Sequence, residues 1–422
     1  MTDTIFALSS GRPPAAIAVL RVSGPKALES LEKLSGACPE PRHAMLVTLR
    51  DDGGVLDRAL ALRFDAPHTV TGEDLVELHL HGGRAVVAAV SAALAAMGLR
   101  PAEAGEFTRR AFANGKIDLT EAEGLADLLA AETEGQRRAA IAVAGGALNR
   151  QVSDWTDRLL ALAAAVEAQL DFSDEGDVDA GLPRTWEDAR GALRDEIARL
   201  LARPPAERLR DGIRVVIAGP PNSGKSTLLN AIVQREAAIT SDIAGTTRDL
   251  IEVPVAIAGL PFLLIDSAGL RASNDAIEAI GVERAEAAIA VADLVLWLGD
   301  EEQAPDQPNV LQVHAKADLG DQPGAGLNVS ALTGEGMTRL FETLIEAARA
   351  LLPGPDELTT NMRQRSALGD ALRSIDAAAQ HDDLLLVAEE LRQARLAFDA
   401  VTGRAGVEDM LDALFGRFCI GK

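Results

Sequence analysis

The sequence contains no tyrosine, and aromatic residues of any kind make up only 3% of its 422 positions. Proteins that bind single-stranded nucleic acid stack bases on aromatic rings. So sparse a supply excludes a surface built chiefly from such platforms. Cysteine is scarcer still. Cys38 and Cys419 are the only two, neither stands in a Cys-x-x-Cys pair, and they provide neither a disulfide framework nor a zinc knuckle, which fits a reducing compartment. Positive charge is outnumbered: 41 Lys and Arg face 64 Asp and Glu, a formal net charge of -23. Phosphate binding needs cations that release counterions, so a chain of this sign does not coat nucleic acid generally, and any RNA site must be local. No apolar run reaches the length of a membrane-crossing helix. Met1 to Ser10 show no cationic stretch followed by an apolar core, so the cytoplasm is the expected compartment and no membrane is expected as a partner.

What is present divides the chain by texture. At this length more than one hydrophobic core is expected. Short apolar strands at Ala16 to Val22, Ala59 to Phe64 and Asp74 to Leu80, with an alanine-rich helix after Gly83, predict an α+β domain over 1–116. Helical spacing then takes over, as in Leu159, Leu162, Ala163 and Val166, interrupted by an acidic stretch at Asp171 to Gly181. Pro204 and Pro205 mark a boundary, after which Ile213 to Ala218 reads as a buried parallel strand. The α/β texture lasts to Leu352, and helical periodicity resumes at Ala367 to Leu372, Leu384 to Phe398 and Val407 to Phe418. We therefore expect an α/β domain at 211–352 inserted into an all-α helical domain made of 117–210 and 353–422; insertion is tolerated because domain termini often lie close together.

The chemistry concentrates in the inserted block. Gly219, Pro220, Pro221, Asn222, Ser223, Gly224, Lys225, Ser226 and Thr227 follow a strand and precede a helix predicted to begin near Thr227, the required setting of a phosphate-binding loop. Its glycines turn backbone amides toward phosphate oxygens, Lys225 reaches the β and γ phosphates, and the Ser226 hydroxyl can ligate magnesium. An incidental glycine-rich turn would not need that strand–loop–helix context. Downstream, Asp242, Ile243, Ala244, Gly245, Thr246 and Thr247 form a loop able to place a threonine hydroxyl on magnesium and to close over the γ phosphate. The apolar strand Phe262 to Ile265 ends in Asp266, Ser267, Ala268 and Gly269, an acidic metal partner with a second γ-phosphate sensor. The segment Ala315, Lys316, Ala317, Asp318 stands where guanine-binding proteins carry Asn-Lys-x-Asp. Asp318 can accept from the guanine N1 and exocyclic amine, Lys316 can pack over the base, and Ser330 with Ala331 resembles the remaining guanine loop; an ATPase is the runner-up. Leu270 occupies the place of the water-orienting glutamine of Ras-like proteins, leaving the catalytic role to another polar group such as Glu278. His79 and His81 share one strand face, but with no third ligand nearby a structural role is the expectation. Cys419 opens the last four residues, which fit a prenylation box poorly.

These motifs, with Asp266 to Arg271 and the terminal Phe418, Cys419, Ile420, Gly421 and Lys422, resemble the MnmE (TrmE) family of tRNA-modification GTPases. Leu20 to Gly24, Thr71 to Asp74, His81 to Gly83 and Gly105 to Phe112 extend the resemblance to the amino-terminal domain. The resemblance implies a Ras-like GTPase in which Asn222, Ser241, Ile243 and Thr246 surround a potassium ion, Ser226 and Thr247 hold magnesium, and Glu278 orients the hydrolytic water. It implies that Arg21, Glu77, Lys116 and Lys422 contact a tetrahydrofolate derivative (5-formyl- or methylene-tetrahydrofolate), with Cys419 a candidate near the modification chemistry. It also implies a homodimer whose GTPase domains meet face to face, and an FAD-dependent partner, MnmG, in a heterotetramer. The joint product would be an aminomethyl or carboxymethylaminomethyl group on carbon 5 of the wobble uridine of tRNA. The competing expectations are a regulatory or ribosome-assembly GTPase switch, and a folate-dependent aminomethyl transferase with an acquired nucleotide sensor.

Overall fold

A computed structural model describes residues 3–171, 182–235, 251–266, 286–320, 324, 326–354, 357–404, 408–416, 418 and 420–421. They form two compact units, one of Met1–Ala126 with Asp399–Lys422 and one of Asp127–Phe398.

The first unit is built on a six-stranded sheet of β1 (Ile5–Leu8), β2 (Ile17–Ser23), β3 (Met45–Asp51), β4 (Gly54–Phe64), β5 (Leu75–His81) and β6 (Arg100–Pro101). The spatial order is β3-β4-β5-β2-β1-β6, antiparallel except where β6 runs parallel to β1. Alternation along β2 and β5 sends Ala18, Leu20, Val22, Val76, Leu78 and Leu80 to one face, where they form a buried core with the helices Ala27–Ser35 and Arg84–Ala96. The period of two turns Arg21, Glu77 and His79 to the other face. The helix Glu106–Ala113 follows β6. The chain's last segment joins this unit: Phe415 and Phe418 pack with Ala122 in an aromatic cluster that includes Phe112, and Ile420 bridges antiparallel to Ala104.

The second unit combines helices with a parallel sheet. Its strands are β7 (Ile213–Ala218), β8 (Ile251–Ile257), β9 (Leu260–Asp266), β10 (Leu294–Trp297), β11 (Val310–Ala315) and β12 (Leu327–Val329), in the order β12-β11-β10-β7-β9-β8. Among the described strands of this sheet, the β8–β9 hairpin is antiparallel and the other pairs are parallel. β7 carries five buried residues among its six, the pattern of a strand covered on both faces. The helical part draws on both sides of this sheet in sequence. Arg190 donates to the Ile375 carbonyl at 3.2 Å, Arg194 pairs with Asp376 at 3.1 Å, and the buried Trp155 ring stacks on Phe398 with centroids 6.1 Å apart. The short helix Ala206–Arg210 is clasped to the amino ends of β7 and β10: Asp293 takes the Arg208 guanidinium at 2.9 Å and the Arg214 amide at 3.1 Å. The chain thus contains an α+β amino-terminal part, a helical part assembled from separated segments, and an α/β P-loop GTPase fold.

Candidate functional site

In an open parallel sheet, ligands bind at the carboxyl ends of the strands, and the predicted nucleotide residues gather there. β7 runs into Gly219, whose φ of +146° and close approach to Leu298 leave no room for a side chain: a Cβ would lie 2.9 Å from the Leu298 carbonyl. The helix that follows is Lys225–Arg235. It begins two residues before the position expected from the sequence, because the turn already closes with Leu228 donating to the Gly224 carbonyl at 2.9 Å. Its amino end points a backbone dipole at the loop, a setting that favours anions.

Lys225 is 6% exposed, and its ammonium donates to the carbonyls of Gly219 at 2.9 Å and Pro220 at 2.7 Å. Those carbonyls stabilise a buried charge next to the place where phosphates would sit. From the neighbouring strand β9, paired to β7 in parallel at Ile217 and Asp266, Asp266 reaches the same spot. It is 1% exposed and accepts a 2.6 Å hydrogen bond from the Ser226 hydroxyl. A buried carboxylate and a hydroxyl side by side are the hard oxygen donors that suit magnesium.

The residues expected from the sequence to meet the base leave the ends of β11 and β12. Asp318 accepts from the Ser330 hydroxyl at 2.6 Å, which fixes its carboxylate. The Lys316 ammonium donates to the Asn222 carbonyl at 2.8 Å, tying this loop to the phosphate loop. Both partners have left-handed backbones, with φ of 60° at Asn222 and 65° at Lys316. For a lysine that conformation costs roughly 1–2 kcal/mol, and such strain persists where surrounding contacts impose it. The structure thus brings together Asn222, Ser223, Gly224, Lys225, Ser226, Thr227, Asp266, Lys316, Asp318, Ser330 and Ala331. Ser241 to Thr247, Ser267 to Gly269 and Glu278 lie outside the described residues.

In the first unit, Arg21 and Glu77 face each other across β2 and β5 and pair at 2.7 Å, with the Arg21 Nε also donating at 3.0 Å. The Arg21 guanidinium lies 5.8 Å from the Phe107 ring centroid. The exposed Lys116 sits against Gly72, its Cε 3.0 Å from where a Cβ there would stand. The chain's end is close by: Ser9 donates to the Gly421 carbonyl at 2.8 Å, and Ser9 follows β1, the strand paired with β2. Cys419 and Lys422 lie outside the described residues. The His81 ring nitrogen meets Asp57 at 2.7 Å, and His79 stands 3.7 Å from Glu77.

Sequence reasoning assigned no role to a buried ionic cluster beside this pair. Arg110 is fully buried and bonds Asp3, Glu73 and Glu106, at 2.9 Å, 3.1 Å and 3.0 Å. Arg100 also grips Asp3 and Glu106, and Glu73 accepts from Ser23 at 2.8 Å. The Arg100 hydrogen bond and the nearby Arg110 charge hold the Asp3 carboxyl below its usual value against its partial burial. At Glu106 burial pushes upward, but hydrogen bonds from Arg100, Arg110 and the backbone outweigh it and hold that carboxyl low as well. The motifs Thr71 to Asp74 and Gly105 to Phe112 supply Glu73, Glu106 and Arg110.

A strand, a glycine loop, a buried lysine and a serine–aspartate pair at the carboxyl ends of a parallel sheet define a P-loop nucleotide-binding protein. Comparison with known proteins narrows the class. Residues 4–116 match the model for the GTP-binding protein TrmE N-terminus and residues 119–419 that for the MnmE helical domain. The tRNA modification GTPase MnmE of Erythrobacter litoralis is 56% identical, with 100% of each chain covered. That of Rhizorhabdus wittichii is 58% identical over 100% of this chain and 97% of the relative. Among solved structures, the G domain of the T. maritima FeoB iron transporter is 25% identical, covering 32% of this chain and 98% of its own, with a TM-score of 0.24. The chain belongs to the MnmE family of tRNA-modification GTPases.

Proposed function

We propose that this protein hydrolyses GTP and uses the cycle to support modification of the wobble uridine of tRNA in the cytoplasm. The observation that carries the nucleotide half is the cluster of Lys225, Ser226 and Asp266 at the carboxyl ends of β7 and β9. Family membership supports the tRNA half. Lys225 exchanges its carbonyl partners for β and γ phosphate oxygens, the amides of the loop and helix end surround those oxygens, and Asp318 selects the base. Magnesium fits the donors at Ser226 and Asp266, with Thr247 as the third protein oxygen, and would neutralise charge developing on the phosphates. Glu278 orients the attacking water.

The finer reading follows the family resemblance. Potassium held by Asn222, Ser241, Ile243 and Thr246 serves where other GTPases use an arginine finger, and GTPase domains meet across a homodimer to complete that site. Arg21, Glu77, Lys116 and Lys422 hold a tetrahydrofolate derivative. The mixed set suits that molecule: a carboxylate for the amino and ring N–H donors of the pterin, and cations for the glutamate tail. When bound, the folate supplies the one-carbon unit. MnmG, an FAD protein, completes the reaction that installs a (carboxymethyl)aminomethyl group at carbon 5.

Steady-state GTP and ATP turnover in potassium against sodium, with Glu278→Ala alongside, tests this reading. GTP turnover that rises in potassium and collapses in the variant supports it. Indifference to the cation removes the potassium mechanism, a preference for ATP removes the GTPase, and normal wobble modification in cells lacking the protein removes the tRNA role.

A further inference from the structure

Guanine shows two kinds of edge. Its N1–H and exocyclic amine donate, whereas N7 and O6 accept. Asp318 matches the donating edge, its carboxylate fixed by Ser330. A nucleotide whose six-membered ring is gripped there, and whose phosphates reach Lys225, must pass between Asp318 and the phosphate loop. That passage is lined by the end of β11. The Ala315 methyl lies 3.5 Å from the place a Cβ on Gly224 would occupy, and the Lys316 Cε lies 3.9 Å from it. Among the described residues, the side chains nearest Gly224 here are thus a methyl group and a methylene stem, and the polar end of the latter, the Lys316 ammonium, is directed to the Asn222 carbonyl at 2.8 Å.

We infer that Ala315 is a specificity-determining residue: this site reads guanine through its N1 and amine edge and offers N7 no hydrogen-bond donor from the side chain at 315. The inference rests on the guanine reading above and adds a property to it. An asparagine at 315 would place a carboxamide donor in the passage; the alanine methyl places none. The nucleotide site therefore tolerates replacement of N7 by carbon.

Equilibrium binding of GDP, 7-deaza-GDP, IDP and ADP to the full chain and to Ala315→Asn tests this. In the native chain 7-deaza-GDP binds within about twofold of GDP, since no hydrogen bond is lost, while IDP, which lacks the exocyclic amine facing Asp318, binds about tenfold more weakly. In Ala315→Asn, GDP gains over 7-deaza-GDP by about tenfold, the worth of one added hydrogen bond. A tenfold loss for 7-deaza-GDP in the native chain overturns the inference while leaving the guanine reading intact. ADP binding as tightly as GDP overturns the guanine reading, and the inference with it. Should Ala315→Asn fail to fold, the native ratio of GDP to 7-deaza-GDP decides alone.

Discussion

The nucleotide site and the ionic cluster of the amino-terminal unit are both built around a buried cation, yet they gather their parts differently. Lys225 is held by carbonyls five and six residues away, and its remaining company arrives by a general rule, since parallel strands bring their carboxyl ends to one edge. Arg110 is held by Glu106, one turn back on its own helix, and by Asp3 and Glu73, two carboxylates that reach it only because the docking of that helix on the antiparallel sheet puts them there. A site of the first kind survives in any protein that keeps the strand, loop and helix. A site of the second kind depends on the whole unit being folded, and so doubles as its lock.

If that contrast holds, damage to the cluster is a loss of stability and damage to the loop a loss of chemistry. The largest effect is expected from Arg110→Leu, which leaves three carboxylates around an apolar side chain. Removing one partner of a buried ionic cluster costs about 3–5 kcal/mol, read as an early unfolding transition of the amino-terminal unit by calorimetry; an unchanged melting profile would show that the cluster is not a lock. Lys225→Ala should keep the melting profile and cut GTP turnover by about 100-fold or more, the scale for losing a charge aimed at the reacting phosphates. Gly421→Ala tests the docked tail. Gly421 has φ +99° and a Cβ there would lie 2.2 Å from the Leu8 carbonyl, so the tail should detach at a cost of about 1–3 kcal/mol. Faster hydrogen exchange at Phe418, Ile420 and Gly421 with unchanged GTP turnover is the expected result. The smallest change is Ser330→Ala, which frees Asp318 and should weaken GDP binding about fivefold, near 1 kcal/mol.

Acid sharpens the same contrast. The carboxyls of Asp3 and Glu106 titrate below their ordinary values of 3.8 and 4.5. A depressed carboxyl stabilises the folded state above its unfolded value, and that contribution is lost as pH falls through the folded one. The amino-terminal unit should therefore keep this contribution to its stability above about pH 5 and lose it progressively below about pH 4.5, with Arg100→Leu, which removes the largest hydrogen bond on both carboxyls, flattening the profile.

The phosphate loop was legible because each piece is local: a continuous apolar run, glycines at the turn, a lysine and a serine at the helix start. The swap of asparagine for Ala315 was equally plain, and the structure adds what it abuts. The helix start at Lys225 was misplaced because that residue has helical backbone while its side chain serves the loop. Arg110 was illegible for a physical reason. An arginine on a helix with Glu106 one turn back ordinarily reads as a solvated ion pair, and only the fold reveals two further carboxylates, Asp3 and Glu73, from distant segments closing over it. The pairing of Arg21 with Glu77 needed the register of β2 against β5, which no local pattern dictates.

The clasp of Asp293 on Arg208 and the Arg214 amide sits at the amino ends of the strands, while the nucleotide residues occupy the carboxyl ends. β7 spans six residues between the two, about 20 Å at the usual rise of a strand. That length is a lever arm. A tilt of the sheet by about 6° about the clasp would carry the phosphate loop roughly 2 Å, enough to break the hydrogen bonds a nucleotide makes there. The same arm read in reverse makes a shift of about 0.3 Å at the loop equal to a rotation of only about 1° at the clasp, at the usual rise of a strand.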